Sequence, residues 1–177
     1  MASATLIPVS EYLKTIYRPD CDYIEGELRE RNVGERAHAL LQFILARILN
    51  ANYLAWGVIA APELRMRVAE RRYRIPDITV MRRSDPPDPV VQVAPLLCIE
   101  VLSPADTLVG IRERVEDYRH MGVEYVWVVD PVGRHAYVAS ERGFEQPASG
   151  EFTISGTAIR IVLAEVFAEL DEMMTQG

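Results

Sequence analysis

The sequence predicts a mixed α+β fold with an α/β-type core, in which a mainly antiparallel central sheet is flanked by helices. Three observations predict it. A long stretch with apolar residues at three- and four-residue spacing is followed by a series of short β-branched runs. Two of those runs, Ile75-Pro76-Asp77-Ile78-Thr79-Val80 and Leu96-Leu97-Cys98-Ile99-Glu100-Val101-Leu102-Ser103, are apolar enough to lie centrally. After them, a helical pattern and a further strand alternate, as they do when helices pack on the faces of a mixed sheet.

The elements are justified in order. Residues 10–17 read as a short helix, with Ser10 as candidate N-cap and Leu13, Ile16 and Tyr17 on one side. Residues 22–30 read as a strand or hairpin edge bent at Gly26. From 35 to about 53, Leu40, Leu41, Ile44, Leu45, Ile48 and Leu49 mark an amphipathic helix that should cover one sheet face. Residues 56–62 and 63–68 are strand candidates, the second alternating Leu64, Met66 and Val68 with Glu63, Arg65 and Arg67. A proline-rich loop, 84–89, joins the two acid-bearing strands. Asp106 or Thr107 can then cap a helix running to about His120 and stopped by Gly122. Residues 124–130 form a central strand, 130–133 a turn and 134–140 its hairpin partner, before edge strands at 151–155 and 157–162 and a closing helix from 163 to about 174.

Length and composition bound the answer. A chain of 177 residues accommodates one full core, so one domain is expected over 1–177, with its core at about 10–170. No apolar run approaches the roughly 18 residues that span a bilayer, and the start Met-Ala-Ser-Ala-Thr-Leu-Ile-Pro lacks a signal peptide's basic and apolar regions, so a cytoplasmic protein is expected. Cys21 and Cys98 make neither a disulfide framework nor a zinc site. The formal charge of −7 argues against generic tight binding to nucleic acid. Seven arginines nevertheless bracket Asp77 between Arg65 and Arg83. Arg71, Arg72 and Arg74 are the phosphate-contact candidates among them, and the solvated face of a strand hairpin is the equally open alternative.

Strand alternation places Glu100 with Leu96, Cys98 and Leu102 on a face that otherwise reads as buried. A carboxylate there must be ion-paired, hydrogen-bonded or bound to a metal. A second acid, Asp77, on the neighbouring strand points to a divalent-cation site, since Mg²⁺ is held by one or two carboxylates together with water and substrate phosphate. The two acids should therefore share a sheet face. His38 falls at the margin of the long helix's buried stripe, and Arg114 stands one turn before Tyr118 on the later helix.

Three runs also resemble a known family. Arg74-Ile75-Pro76-Asp77-Ile78-Thr79-Val80, Ile99-Glu100-Val101-Leu102-Ser103-Pro104-Ala105-Asp106 and the segment from Tyr118-Arg119-His120-Met121-Gly122-Val123 to Trp127-Val128-Val129-Asp130-Pro131 resemble the consecutive signatures of the Uma-two restriction endonucleases, a branch of the PD-(D/E)XK nuclease superfamily. Tyr23-Ile24-Glu25-Gly26-Glu27-Leu28 and His38 match as well.

The resemblance implies a restriction-endonuclease-like fold and a Mg²⁺- or Mn²⁺-dependent endonuclease acting on DNA. It implies Asp77 and Glu100 as metal ligands, His38 and Glu25 as auxiliary groups, and a catalytic lysine at the position held here by Arg114. Lys14 is the only lysine in the chain. An arginine keeps its charge and can brace a phosphate oxygen, but it cannot shed a proton. Two functions therefore stand side by side: a hydrolase that works as a homodimer for double-strand cleavage, and a catalytically impaired nuclease-fold protein serving as a nucleic-acid-binding or assembly module.

Overall fold

A computed structural model describes residues 6–32 and 34–175. Residues 1–5, among those read above for a signal peptide, lie outside the described residues. The chain runs α1 (Val9–Lys14), β1 (Cys21–Ile24), β2 (Glu27–Glu30), α2 (Arg36–Ala51), α3 (Tyr53–Trp56), β3 (Val58–Pro62), β4 (Met66–Ala69), β5 (Arg72–Arg74), β6 (Ile78–Arg82), β7 (Leu97–Val101), α4 (Leu108–Met121), β8 (Tyr125–Asp130), β9 (His135–Ser140), β10 (Gly143–Glu145), β11 (Glu151–Thr153), β12 (Arg160–Val162) and α5 (Leu163–Thr175).

A six-stranded sheet, ordered β10-β9-β8-β7-β6-β3, is the centre of the molecule. Only the β7–β8 pair is parallel, and α4 supplies the crossover that parallel neighbours require. Leu41, Ile44, Leu45 and Leu49 of α2 and Val166 and Leu170 of α5 bury one sheet face, where they meet Ile78, Val80, Leu97, Ile99 and Val101. Alternation turns Cys98 to the opposite face, against Ile111, Val115 and Tyr118 of α4. A second sheet, β2-β1-β5-β4, carries Tyr23 and Tyr73, which meet Tyr12 of α1 in an aromatic cluster, while its Met66 and Val68 pack onto the α4 side. Helix α4 thus lies between the two sheets.

The expected layout of a mainly antiparallel mixed sheet with flanking helices is what the chain forms. Four local readings differ. Helix α1 begins at Val9 with Pro8 in the cap position and no side-chain cap, so Ser10 is not the N-cap. Helix α2 ends at Ala51, and a separate turn of helix follows. The run 75–80 is not one strand: Pro76 has no N–H to give a ladder, and the chain passes there from β5 in the second sheet to β6 in the first. Three-residue strands β5 and β10 are too short to leave a period in the sequence.

Candidate active site

Ile78 lies opposite Ile99 in the antiparallel β6–β7 register, which sets Asp77, one residue before β6, opposite Glu100. Directly opposed residues share a face, here the α4 side. Asp77 is 3 % exposed and Glu100 2 %, and both open onto a polar cavity of about 160 Å³. Its walls come from the segment after β2 (Arg31, Asn32), the N-terminal turn of α2 (His38), the loop after β7 (Ser103, Asp106) and the first half of α4 (Arg114).

Each acid is held by an arginine. Arg31 Nη2 donates to Asp77 Oδ1, while the Val101 backbone N–H donates to Asp77 Oδ2 at 2.7 Å and His38 Nε2 approaches that oxygen at 3.4 Å. The Tyr118 hydroxyl donates to Glu100 Oε1. Arg114 Nε stands 2.9 Å from Glu100 Oε2, close enough to pair charges but without hydrogen-bond alignment. Its Nη2 donates at 2.7 Å to Asp106 Oδ1, and Asp106 Oδ2 accepts from the Ser103 N–H and hydroxyl. Thr107, not Asp106, caps α4 by accepting from the Gly110 N–H.

The environments push the two acids apart. Burial raises the Glu100 carboxyl to about 7, against the opposing pull of Arg114 and with a further push from Asp77. Burial acts the same way on Asp77, but the His38 hydrogen bond, the Arg31 charge and the Val101 N–H outweigh it, so its carboxyl lies below the ordinary value. Burial alone would depress His38. Its hydrogen bond to Asp77 and that residue's charge win, and the imidazole is pushed up.

The structure brings Asp77, Glu100, His38 and Arg114 to one cavity, whose wall Arg74 also joins, and leaves Glu25, Arg71 and Arg72 outside it. Glu25 sits at the exposed tip of the β1–β2 hairpin, where Glu25 (φ 52°) and Gly26 (φ 99°) make the two-residue turn with both φ values positive, and it faces Arg71. Arg74 is buried rather than displayed: Asp22, Glu113 and Asp117 hold it at 2.8, 3.0 and 2.6 Å. Arg72 binds Asp117 at 2.8 Å, so of Arg71, Arg72 and Arg74 only Arg71 is exposed, and it is loosely paired with Glu25 at 3.8 Å. The alternating strand pattern could not tell an outward arginine from one turned into the gap between a sheet and α4.

Sequence reasoning missed Arg31, Asp106 and Tyr118. Tyr118 and Asp106 lie inside the runs that carried the resemblance, and their helical and loop positions were legible. Nothing in the sequence marks Arg31, which reaches Asp77 only because β1 pairs with β5.

These geometries define a restriction-endonuclease-like α+β protein with a buried acid pair. The chain belongs to the Uma2 family: the family model described as "Uma2: Putative restriction endonuclease" matches residues 9–156. Among solved structures, "a putative nuclease belonging to DUF820 from Anabaena variabilis ATCC 29413" superposes with a TM-score of 0.80 at 21 % identity, over 93 % of this chain and 99 % of that one. A DrdV-DNA complex matches with a TM-score of 0.41 and 15 % identity over 78 % of this chain and 11 % of that one, a likeness too loose to inform on this chain. No curated protein matches. Among the described residues, no helix is long and apolar enough to cross a membrane.

Proposed function

We propose that this chain, one domain over 1–177, is a cytoplasmic metal-dependent endonuclease that hydrolyses DNA phosphodiester bonds. The observation that supports it best is the pair of almost fully buried carboxylates, Asp77 and Glu100, opposed on neighbouring strands and opening onto one arginine-walled cavity. A divalent cation fits the donor set. Apart from Asp77 Oδ2, each oxygen of the two carboxylates has a single contact among the described residues, which leaves lone pairs toward the cavity. Six acids line the cavity against four arginines and His38, a local excess of negative charge. Mg²⁺ or Mn²⁺ held by Asp77 and Glu100 would supply Lewis-acid stabilisation of a phosphoryl oxygen and acidify a bound water.

The chain's own groups do the rest. Arg114 and Arg31 are placed to transfer their N–H donors from carboxylate to phosphate oxygens, neutralising charge as it builds in the transition state. His38 and the Val101 N–H hold Asp77 ionised and oriented. A double-strand break needs two such centres, so a two-fold homodimer is the working assembly. Titration of Mn²⁺ into the protein, followed by calorimetry and by plasmid nicking, tests the reading. Saturable binding and nicking, both lost in Asp77→Ala, are expected.

One observation favours a second reading. Both acids are arginine-paired, and among the described residues no group of three or more His, Cys, Asp or Glu side chains could hold a metal. A nucleic-acid-binding or assembly module would keep such pairs as structure. Absence of Mn²⁺ binding at millimolar concentration would select it.

A further inference from the structure

Beside the acid pair lies an apolar depression of about 360 Å³ that shares Ser103 and Asp106 with the site cavity. Tyr137 and Phe144 line it with Leu102, Leu108, Ile111 and Val128. Phe144 also lines a further depression of about 460 Å³, whose basic residues are Arg112, Arg119 and Arg142 and whose acids are Glu116 and Glu141. The three run in sequence, from acid site to aromatic shelf to arginines.

The exposed arginines fall into two groups, and Arg112 and Arg142 belong with Arg18, Arg36, Arg67 and Arg83, which have no carboxylate partner among the described residues. Arg29, Arg47, Arg134 and Arg160 are each closed by a carboxylate. Arg112 and Arg142 are exposed and enter no ion pair among the described residues, while Arg119 reaches Glu141 at 3.2 Å. Three arginines against Glu116 and Glu141 leave the depression net positive on an acidic protein, and beside an aromatic shelf that makes a local match for a polyanion that carries flat apolar rings.

We propose that this path is the seat of an unpaired polynucleotide strand, with one base lodged against Tyr137 and Phe144 and the following phosphates on Arg112 and Arg142. The inference rests on the nuclease reading for its direction and deepens it by naming the substrate as single-stranded or locally unwound. Bases inside a duplex are covered on both faces and cannot enter an apolar pocket of this kind. An unpaired base has a free face, and stacking on an aromatic ring accepts any base. The pocket's size is that of a small-ligand site rather than a protein-sized groove.

The test is fluorescence polarisation in EDTA with single-stranded DNA, single-stranded RNA and duplex DNA of one sequence, alongside Mn²⁺-dependent cleavage. Wild type should bind a single strand at least about tenfold more tightly than duplex. Phe144→Ala should weaken that binding about 5- to 100-fold, the range for loss of one base–aromatic stack. Arg112→Glu with Arg142→Glu, both on the surface and so neutral to folding, should weaken it and flatten the salt dependence by about 1.4, or about 0.7 per phosphate contact. Preference for RNA over DNA would keep the path and overturn DNA as its strand. Equal or tighter duplex binding, or single-strand binding unchanged in both variants, overturns the path while persistent Mn²⁺-dependent cleavage leaves the nuclease reading standing. No binding to any nucleic acid ends both. A dimer dispersed by Phe144→Ala, with strand binding unaltered, reassigns the pocket to a contact between copies and overturns the proposal.

Discussion

Helix α4 borders two arginine–carboxylate assemblies that look alike on paper. Toward the second sheet, Arg74 sits 3 % exposed among Asp22, Glu113 and Asp117, with Arg72 and Arg29 closing the remaining oxygens of Asp117 and Glu113. Toward the central sheet, Arg31 and Arg114 face Asp77, Glu100 and Asp106. The first balances three arginines against three acids. The second sets three acids against two arginines and His38, which carries a full positive charge only when protonated. Burial raises Glu113 too, but the charges of Arg74 and Arg29 prevail and its carboxyl ends below the ordinary value. Burial prevails at Glu100, which ends at about 7. A saturated network locks sheet to helix, whereas an under-compensated one keeps a demand for positive charge that a ligand can meet.

The largest expected effect breaks the saturated side. Arg74→Ala leaves Asp22 buried without its partner and Asp117 with Arg72 alone, and removing one member of a buried pair costs about 3–5 kcal/mol. At about 2–4 °C per kcal/mol for a chain of this size, the thermal midpoint should fall by roughly 6–20 °C in calorimetry. A fall of only a degree or two would mean that the network contributes little.

The acid site should reveal itself through pH. Glu100 has its carboxyl near 7 when folded against 4.5 when unfolded, so between those values the folded state binds the extra proton and stability falls as pH rises. The span corresponds to about 3 kcal/mol. Asp77 acts in the opposite sense and at lower pH, since its depressed carboxyl loses stability only as pH falls toward its folded value. Urea unfolding at pH 5 and pH 8 should show the protein weaker at the higher pH. Saturating Mn²⁺ should remove most of that difference, because metal binding needs the ionised carboxylate. A flat profile without metal would show that Arg114 compensates Glu100 fully.

Arg114 separates the two assemblies by chemistry. Arg114→Lys keeps the charge beside Glu100 and frees a donor from its Asp106 anchor. Mn²⁺-dependent nicking should rise by up to about 10- to 100-fold if the missing lysine costs about 1.4 to 2.7 kcal/mol of barrier. Asp77→Ala in that background should abolish the gain. A drop in nicking with Arg114→Lys would identify the guanidinium as a working part of this site.

Much of this was legible in the sequence, and the illegible part has a physical pattern. Apolar periodicity located α2, β7, α4, β8 and α5, and the parity of Cys98 and Glu100 gave the face of the second acid. Periodicity reports burial of apolar side chains, so it was blind to Arg74, a buried cation that reads as a surface one. It was equally blind to partners set by strand pairing between distant segments: Arg31 with Asp77, and Asp22 with Arg74. Pro76 was visible as a residue without an N–H, and its effect, the passage between sheets, needed the register of both.

The smallest expected effect isolates His38. A Cβ on Gly34 would lie 2.7 Å from His38 Nδ1 and 3.2 Å from its Cγ, so Gly34→Ala must turn the ring away from Asp77. The lost hydrogen bond is worth about 1 kcal/mol, and the stiffer unfolded chain returns about 0.4–1 kcal/mol, leaving net stability nearly unchanged. The titration should move. His38 is held above 6.5 by Asp77, so its contribution is full below that pH and disappears as pH rises through the folded value. In Gly34→Ala the imidazole should titrate at lower pH by NMR, and the stability lost near neutrality should shrink toward the Glu100 part alone. An unshifted imidazole would show that the Asp77 contact does not set the His38 titration, and would take His38 out of the group that keeps that acid ionised.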